Sequence, residues 1–171
     1  MRSFVIACVL LITACSTPLS YYSKSTPELK MEEFYNGRLT AYGMVQNRGG
    51  KVLRRFRVDM LGTWQGNKGT LQESFYYDDG EQEQRTWYLE KLSDGQYRGA
   101  ADDVVKPALG ETSGYALNWR YTLSIPVNGD TWDIDFDDWM YLLDEKRLIN
   151  RAEMNKWGLK VGEVTLWIEK H

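Results

Sequence analysis

The stretch from Trp132 to Trp157, WDIDFDDWMYLLDEKRLINRAEMNKW, decides the fold class. Apolar and polar residues alternate on both sides of its charged Asp-Glu-Lys turn. This pattern predicts two β-strands joined by a hairpin, because successive side chains of a strand point to opposite faces. Asp138 shares a face with the apolar residues of the first strand, so a carboxyl group interrupts that face. The residues on this face are Trp132, Ile134, Phe136, Asp138, Met140 and Leu142.

The chain after Gly37 repeats the same pattern of long strands and tight turns. Turn signals, most of which contain glycine, bound nine predicted strands. Long strands joined by successive hairpins favour an up-and-down β-barrel, since closure removes exposed strand edges. We therefore predict an all-β fold in which residues 27–171 form a single antiparallel barrel of about eight to nine strands. The predicted strands lie near residues 38–46, 51–63, 69–77, 82–92, 95–101, 114–126, 131–142, 147–156 and 159–169.

Two segments fall outside these strands. Thr26-Pro27 is typical of a helix start, so one short N-terminal helix is predicted from there to about Tyr35. Residues 101–113 (ADDVVKPALGETS) are interpreted as the one long loop. Because long loops often carry function, this segment is predicted to form a lid at the barrel rim.

The first fourteen residues predict export from the cytoplasm. Arg2 precedes an apolar segment, residues 5–12, which is too short to span a bilayer and is typical of a signal peptide. The segment ends in Ile-Thr-Ala immediately before Cys15, which resembles the lipobox of bacterial lipoproteins. We predict a signal peptide over residues 1–14, lipidation of Cys15, and a tether over residues 15–26.

The expected location follows from the same segment. Cleavage before Cys15 removes Cys8 and leaves one cysteine, so no internal disulfide can form. Ser16 replaces the aspartate that usually marks inner-membrane retention. The expectation is a domain anchored to the outer membrane through lipid on Cys15 and facing the periplasm.

Charged side chains lie on the apolar faces of several predicted strands. Glu73, Arg85 and Asp138 share faces with aromatic and aliphatic residues, and Arg151 or Asn150 can join them from the next strand. Because unpaired buried charges are very costly, these groups are expected to pair with one another or to face a wet cavity. They form either a polar grip for a ligand or a structural ion pair. The side chains predicted to line the barrel are Trp87, Trp119, Tyr121, Trp132 and Phe136.

Several kinds of chemistry find no support in the sequence. The only histidine, His171, is the last residue, so neither a histidine triad nor a histidine zinc site is expected. Asp133, Asp135 and Asp137 share the opposite face of their strand. The favoured interpretation is that this face is a solvated surface, and the alternative is that the three carboxylates bind calcium. No metal and no cofactor is predicted. No nucleic-acid partner is predicted either, because the net charge is −3 and nucleic-acid-binding domains usually carry an excess of basic residues.

The order of several segments resembles a known family. These segments are NGRLTAYG, KVLRRFRVDMLGTW, LQESFYYDDGEQEQRTW, YRGAADDVV, GYALNWRYTL and FDDWMYLLDEKRLINRAEMNKWGLKVGEVTL. Together they resemble an uncharacterised proteobacterial outer-membrane lipoprotein family, a domain of unknown function. The resemblance covers the chain from about Phe34 onward and implies a lipocalin-like β-barrel. Residues 34–39 also resemble the start of a lipocalin barrel, with Leu39 in place of the signature tryptophan.

These observations lead to an expected function. We expect a non-catalytic, lipid-anchored envelope protein that binds or handles a lipophilic or amphiphilic small molecule in its barrel. The alternative is an envelope-assembly or protein-interaction module with a filled barrel and a protein partner. An enzyme acting on a lipid or small metabolite is the more distant alternative, because no acid/base pair can be placed from the sequence.

Overall fold

A computed structural model describes residues 17–127 and 129–171 of the chain. In these ranges ten antiparallel strands close into one barrel in which each strand pairs with its neighbours in sequence. β1 and β10 close the barrel, with Leu39 opposite Lys170 and Asn47 opposite Gly162. The predicted all-β, up-and-down barrel is confirmed, and the predicted count of eight to nine strands is corrected to ten. The strands are β1 (Gly37–Asn47), β2 (Val52–Gln65), β3 (Lys68–Tyr77), β4 (Gln82–Ser93), β5 (Gln96–Ala100), β6 (Val104–Ser113), β7 (Ala116–Val127), β8 (Asp130–Leu142), β9 (Arg147–Lys156) and β10 (Leu159–Lys170).

The additional strand is β6, which occupies the segment predicted to be a loop and rim lid. Its register against β7 shifts between Val104 and Lys106 and again between Lys106 and Leu109. Pro107 lies within the second irregularity, where a residue without a backbone N–H can be accommodated. The bulges interrupt the alternation of side chains that identifies a strand in sequence. The lid prediction is therefore wrong, and residues 104–113 form part of the barrel wall.

The N-terminal helix closes one end of the barrel. Helix α1 (Met31–Phe34) is shorter than predicted, because Lys30 still has an extended backbone with φ −120° and ψ 120°. Leu29, Met31, Phe34 and Tyr35 are almost fully buried in the core. Burial of each such side chain contributes about 1.5–3 kcal/mol. We call this the closed end, and the opposite end, which carries the β3–β4 and β9–β10 hairpins, the open end.

Specific contacts hold α1 against the strands. The carboxylate of Glu32 accepts hydrogen bonds from Lys91 Nζ and Tyr97 Oη, both at 2.7 Å. Gly62 in β2 allows the backbone to approach closely, since a Cβ there would lie 1.8 Å from the carbonyl oxygen of Tyr35. The closed end is thus sealed by both apolar burial and directed polar contacts.

The segment before α1 lies against the outside of the closed end. Residues 19–22 form a single 3₁₀ turn, and the Tyr22 ring lies 5.3 Å from Tyr115 and 5.8 Å from Tyr141. Ser25 Oγ accepts a hydrogen bond from Tyr115 N at 3.1 Å. The tether predicted over residues 15–26 is therefore bound to the barrel wall from Leu19 onward. The predicted signal peptide and Cys15 lie outside the described residues.

Within residues 17–127 and 129–171, no helix is both long enough and apolar enough to cross a membrane.

Candidate functional site: a cavity inside the barrel

The barrel encloses a cavity of about 470 Å³ that extends from α1 towards the open end. This volume lies in the range of about 300–1,000 Å³ that is typical of small-molecule sites. Small residues help to leave this space, because Ala41 in β1 and Ala152 in β9 both line the cavity and carry only a methyl group. The described strands therefore form a hollow barrel rather than a filled one.

Aromatic rings form a continuous part of the cavity wall. Trp87 packs edge-on against Trp119 and Tyr121, with ring centroids 5.9 Å and 5.5 Å apart. Tyr121 stacks on Phe136 with a centroid distance of 4.9 Å and an interplanar angle of 5°. The structure thus brings four of the five predicted lining residues together around one cavity.

The fifth predicted lining residue, Trp132, does not line the cavity. Its position in β8 has the same parity as Phe136, but it lies near the start of the strand at the open end and is 39% exposed. Its ring packs against Trp157 of the β9–β10 hairpin, with Lys156 Nζ 5.5 Å from the ring centroid. Parity assigns a residue to one face of a strand, but it does not determine the depth of that residue along the barrel axis.

Asp138 is the most deeply buried carboxyl group of the cavity. It is 5% exposed and accepts hydrogen bonds from the Asn150 amide and from Tyr121 Oη, the latter at 3.3 Å. Burial raises the pKa of Asp138 to about 7, although both of these hydrogen bonds act in the opposite direction. The negative charges of Asp137 and Glu73 raise this pKa further. Asp138 therefore changes protonation state near neutral pH.

Glu73 lies opposite Arg85 in the β3–β4 register. The pair is loose, with Arg85 Nη1 3.7 Å from Glu73 Oε2. Glu73 Oε2 has no hydrogen-bond partner in the described part of the chain. Burial raises the pKa of Glu73 to about 7 and the charge of Asp103 adds to this rise, while Arg85 and the nearby Trp87 N–H oppose it. Glu73 is thus an incompletely satisfied carboxyl group that faces the cavity.

Arg85 has a closer partner that was not predicted from the sequence. Its Nε and Nη2 lie 2.9 Å and 2.7 Å from Asp103 Oδ2. Asp103 precedes β6 in the segment interpreted as a loop, so its position facing Arg85 could not be recognised. Once β6 is known to be a strand, the Asp-Asp pair at its start is the signal that could have identified it.

Arg151 does not belong to the interior cluster, and this part of the prediction is wrong. Its guanidinium group faces outward and pairs with Glu163, with Nε and Nη2 each 2.9 Å from a carboxylate oxygen. Hydrogen bonding to Arg151 lowers the pKa of Glu163 to about 2. Of the two alternatives, the structure places Asn150 inside the barrel, since it is 1% exposed and shares its face of β9 with buried Leu148 and Ala152.

A second arginine lies near the open end of the cavity. The Arg54 guanidinium is 3.6 Å from the centroid of the Tyr77 ring and forms ion pairs with Asp79 at 2.8 Å and Glu81 at 2.7 Å. The place of Arg54 in the cavity lining was not predicted from the sequence. The alternation with inward-facing Phe56 and Val58 is the signal that could have located it.

The acidic row of β8 lies on the outer face of the barrel. Asp133, Asp135 and Asp137 accept hydrogen bonds from Ser124, Thr122 and Asn118 of β7 at 2.6–2.7 Å. Across the described ranges, no three histidine, cysteine, aspartate or glutamate side chains are grouped as metal ligands. The row therefore connects two neighbouring strands.

The fold and the cavity define the chain as a single antiparallel β-barrel with one sealed end and an internal site of mixed aromatic and acidic character. It belongs to the family described as "Protein of unknown function (DUF3833)", which matches residues 9–170. This confirms the coarser part of the predicted resemblance, a domain of unknown function. No curated protein matches the chain.

Proposed function

We propose that this chain is a non-catalytic envelope protein that binds a lipophilic or amphiphilic small molecule inside its barrel. The observation that carries the proposal is the cavity of about 470 Å³ with its aromatic wall. Apolar cavities with a few converging polar groups are the usual form of small-molecule sites. The alternative, a barrel filled by its own side chains, has less support, because a filled barrel would leave no cavity of this size.

The polar groups of the cavity have properties that occur both in catalytic sites and in structural networks. Carboxyl groups with raised pKa values are found in both. In the described lining, however, no histidine, cysteine or lysine accompanies Glu73 and Asp138. Asp138 is hydrogen-bonded to the neutral donors Tyr121 and Asn150. Ligand binding therefore requires only the groups described in this lining, whereas an enzymatic role would require further catalytic side chains.

A cavity-filling variant tests the proposal. Ala152→Phe places a ring in the cavity, and Ala100→Phe makes the same change at an exposed position on the outer face of β5. Protein purified from its own envelope is extracted with organic solvent and analysed by native mass spectrometry. We expect a co-purifying lipophilic molecule in the wild type and in Ala100→Phe, and its loss in a folded Ala152→Phe. Equal retention by both variants, or an empty wild-type protein that also binds no hydrophobic fluorescent probe, would contradict the proposal.

We also propose that lipid on Cys15 anchors the protein to the outer membrane, with the barrel in the periplasm. The support is the apolar segment and the small residues before Cys15 in the sequence. Growth with a labelled palmitate analogue should label the wild type, and Cys15→Ser should abolish the label. A labelled Cys15→Ser protein would exclude this residue as the acylation site.

A second candidate function, protein interaction, is favoured by one feature of the open end. Trp157 is 84% exposed at the tip of the β9–β10 hairpin, and neighbouring Leu159 is 59% exposed. Exposed apolar clusters often mark interaction sites. A photocrosslinking group at position 157 should then join one envelope protein reproducibly, whereas a group at exposed Tyr88 on the outer wall should not.

A further inference from the structure

The charged groups of the cavity are unequally distributed between acids and bases. Five carboxylates line it, against two arginines and no lysine among the described residues. They are Glu73, Glu81, Glu83, Asp103 and Asp138. A ligand that enters this cavity therefore meets an excess of acidic groups.

Both arginines already have carboxylate partners. Arg85 forms a two-point contact with Asp103, and Arg54 forms ion pairs with Asp79 and Glu81. An anionic headgroup would have to displace one of these carboxylates to find a cation. Displacement at Arg85 would leave the partly buried Asp103 without its partner, which is unfavourable. Arg85, the deeper of the two arginines, is thus poorly placed to bind a fatty-acid or phosphate headgroup.

Glu73 offers the opposite possibility. Its side chain lines the cavity and is 13% exposed, and its nearest cation is 3.7 Å away. Its Oε2 atom is enclosed and accepts no hydrogen bond from the described residues, so the carboxyl group is incompletely compensated and gains from a donor that approaches its exposed part. The adjacent aromatic wall of Trp87 and Tyr121 can also stabilise a cation through its ring faces.

From these contacts we propose that the cavity is selective for amphiphiles with a cationic amine headgroup, whose ammonium group donates to Glu73 while the apolar body lies against the aromatic wall. This inference rests on the proposed binding function and specifies its ligand class. A charge-assisted hydrogen bond to Glu73 in a site shielded from water is expected to give about a tenfold or greater preference over a neutral analogue.

Three probes with the same alkyl chain test the headgroup: dodecylamine, dodecanol and dodecanoate. Their binding to the full protein is measured by isothermal titration calorimetry below the micelle-forming concentration of each. We expect dodecylamine to bind about tenfold more tightly than dodecanol and dodecanoate to bind most weakly. Glu73→Gln should remove most of the preference for the amine. Glu169→Gln, the same change on the exposed outer face, should preserve it.

The outcomes separate this inference from the proposed function. Dodecanoate binding as tightly as dodecylamine would overturn the amine preference and leave small-molecule binding intact. This comparison uses the wild type alone, so it remains decisive if Glu73→Gln does not fold. Amine binding that persists in a folded Ala152→Phe would also overturn it, because such binding lies on the acidic surface. Failure of all three probes to bind would overturn the inference together with the proposed function.

Discussion

The buried carboxyl group of Asp138 should make the barrel less stable as the pH rises through neutrality. Its pKa is about 7 in the folded protein, against an ordinary value of 3.8. Between these values the folded state holds a proton that the unfolded chain releases. The free energy of unfolding therefore falls with increasing pH in this window, and the contribution present below pH 4 is lost by about pH 8.

The magnitude follows from the size of the shift. At about 1.36 kcal/mol for each pKa unit, a rise from 3.8 to about 7 corresponds to a loss on the order of 4 kcal/mol. Glu73, with a pKa raised from 4.5 to about 7, adds a contribution of the same sign. Carboxylates with lowered pKa values, such as Glu163, act at lower pH, since their stabilisation is lost only as the pH falls towards about 2. The carboxyl groups with raised pKa values and those with lowered pKa values therefore affect the stability in different pH ranges.

Asp138→Asn isolates the contribution of this group. The amide retains a carbonyl oxygen for the Asn150 donor, and Tyr121 can rotate its hydroxyl to accept instead of donate. Urea unfolding between about pH 4.5 and pH 8 should show a clearly shallower decline for the variant than for the wild type, with the remaining slope due mainly to Glu73. Asp135→Asn on the outer face should keep the wild-type slope. Equal slopes for Asp138→Asn and the wild type, or a wild-type stability that rises from pH 5 to pH 7.5, would refute the reasoning.

Two further predictions concern the closed end. Gly62→Ala should lower the free energy of unfolding by about 1–3 kcal/mol, because its Cβ would lie 1.8 Å from the Tyr35 carbonyl oxygen. Gly49→Ala, whose nearest neighbour lies at 3.5 Å, should have a much smaller effect in the same urea titration. Tyr97→Phe should lower the free energy of unfolding by about 1.5–3 kcal/mol, since the substitution removes a 2.7 Å hydrogen bond to the Glu32 carboxylate of α1. Tyr88→Phe, at a position 61% exposed, should change little, and equal losses for the two tyrosine variants would contradict the assigned contact.

Strand alternation carried most of the information that the sequence contains about this fold. It predicted a barrel and the inward faces of Glu73, Arg85 and Asp138, because a period of two residues is a local property. It failed at β6, where Pro107 and two register shifts interrupt the alternation. Because β6 was not predicted, the contact between Arg85 and Asp103 was not predicted either.

The hollow interior could not be predicted from the sequence. Alternation assigns a side chain to a face, but depth and residual volume depend on how ten tilted strands meet. Trp132 has the parity of a lining residue and packs outside the cavity against Trp157. Ala41 and Ala152 look like ordinary strand residues in the sequence, and they provide space only because the barrel closes around them.

The attachment of residues 19–25 to the sealed end has a consequence for how the proposed ligand would enter the barrel. Leu19 lies four positions after Cys15, and four residue steps span at most about 14 Å when fully extended. With acyl chains on Cys15, the sealed end would rest close to the lipid headgroups and the mouth would point into the aqueous compartment. Loading would then proceed through solution or from a soluble donor, rather than by sideways extraction from the leaflet that holds the anchor.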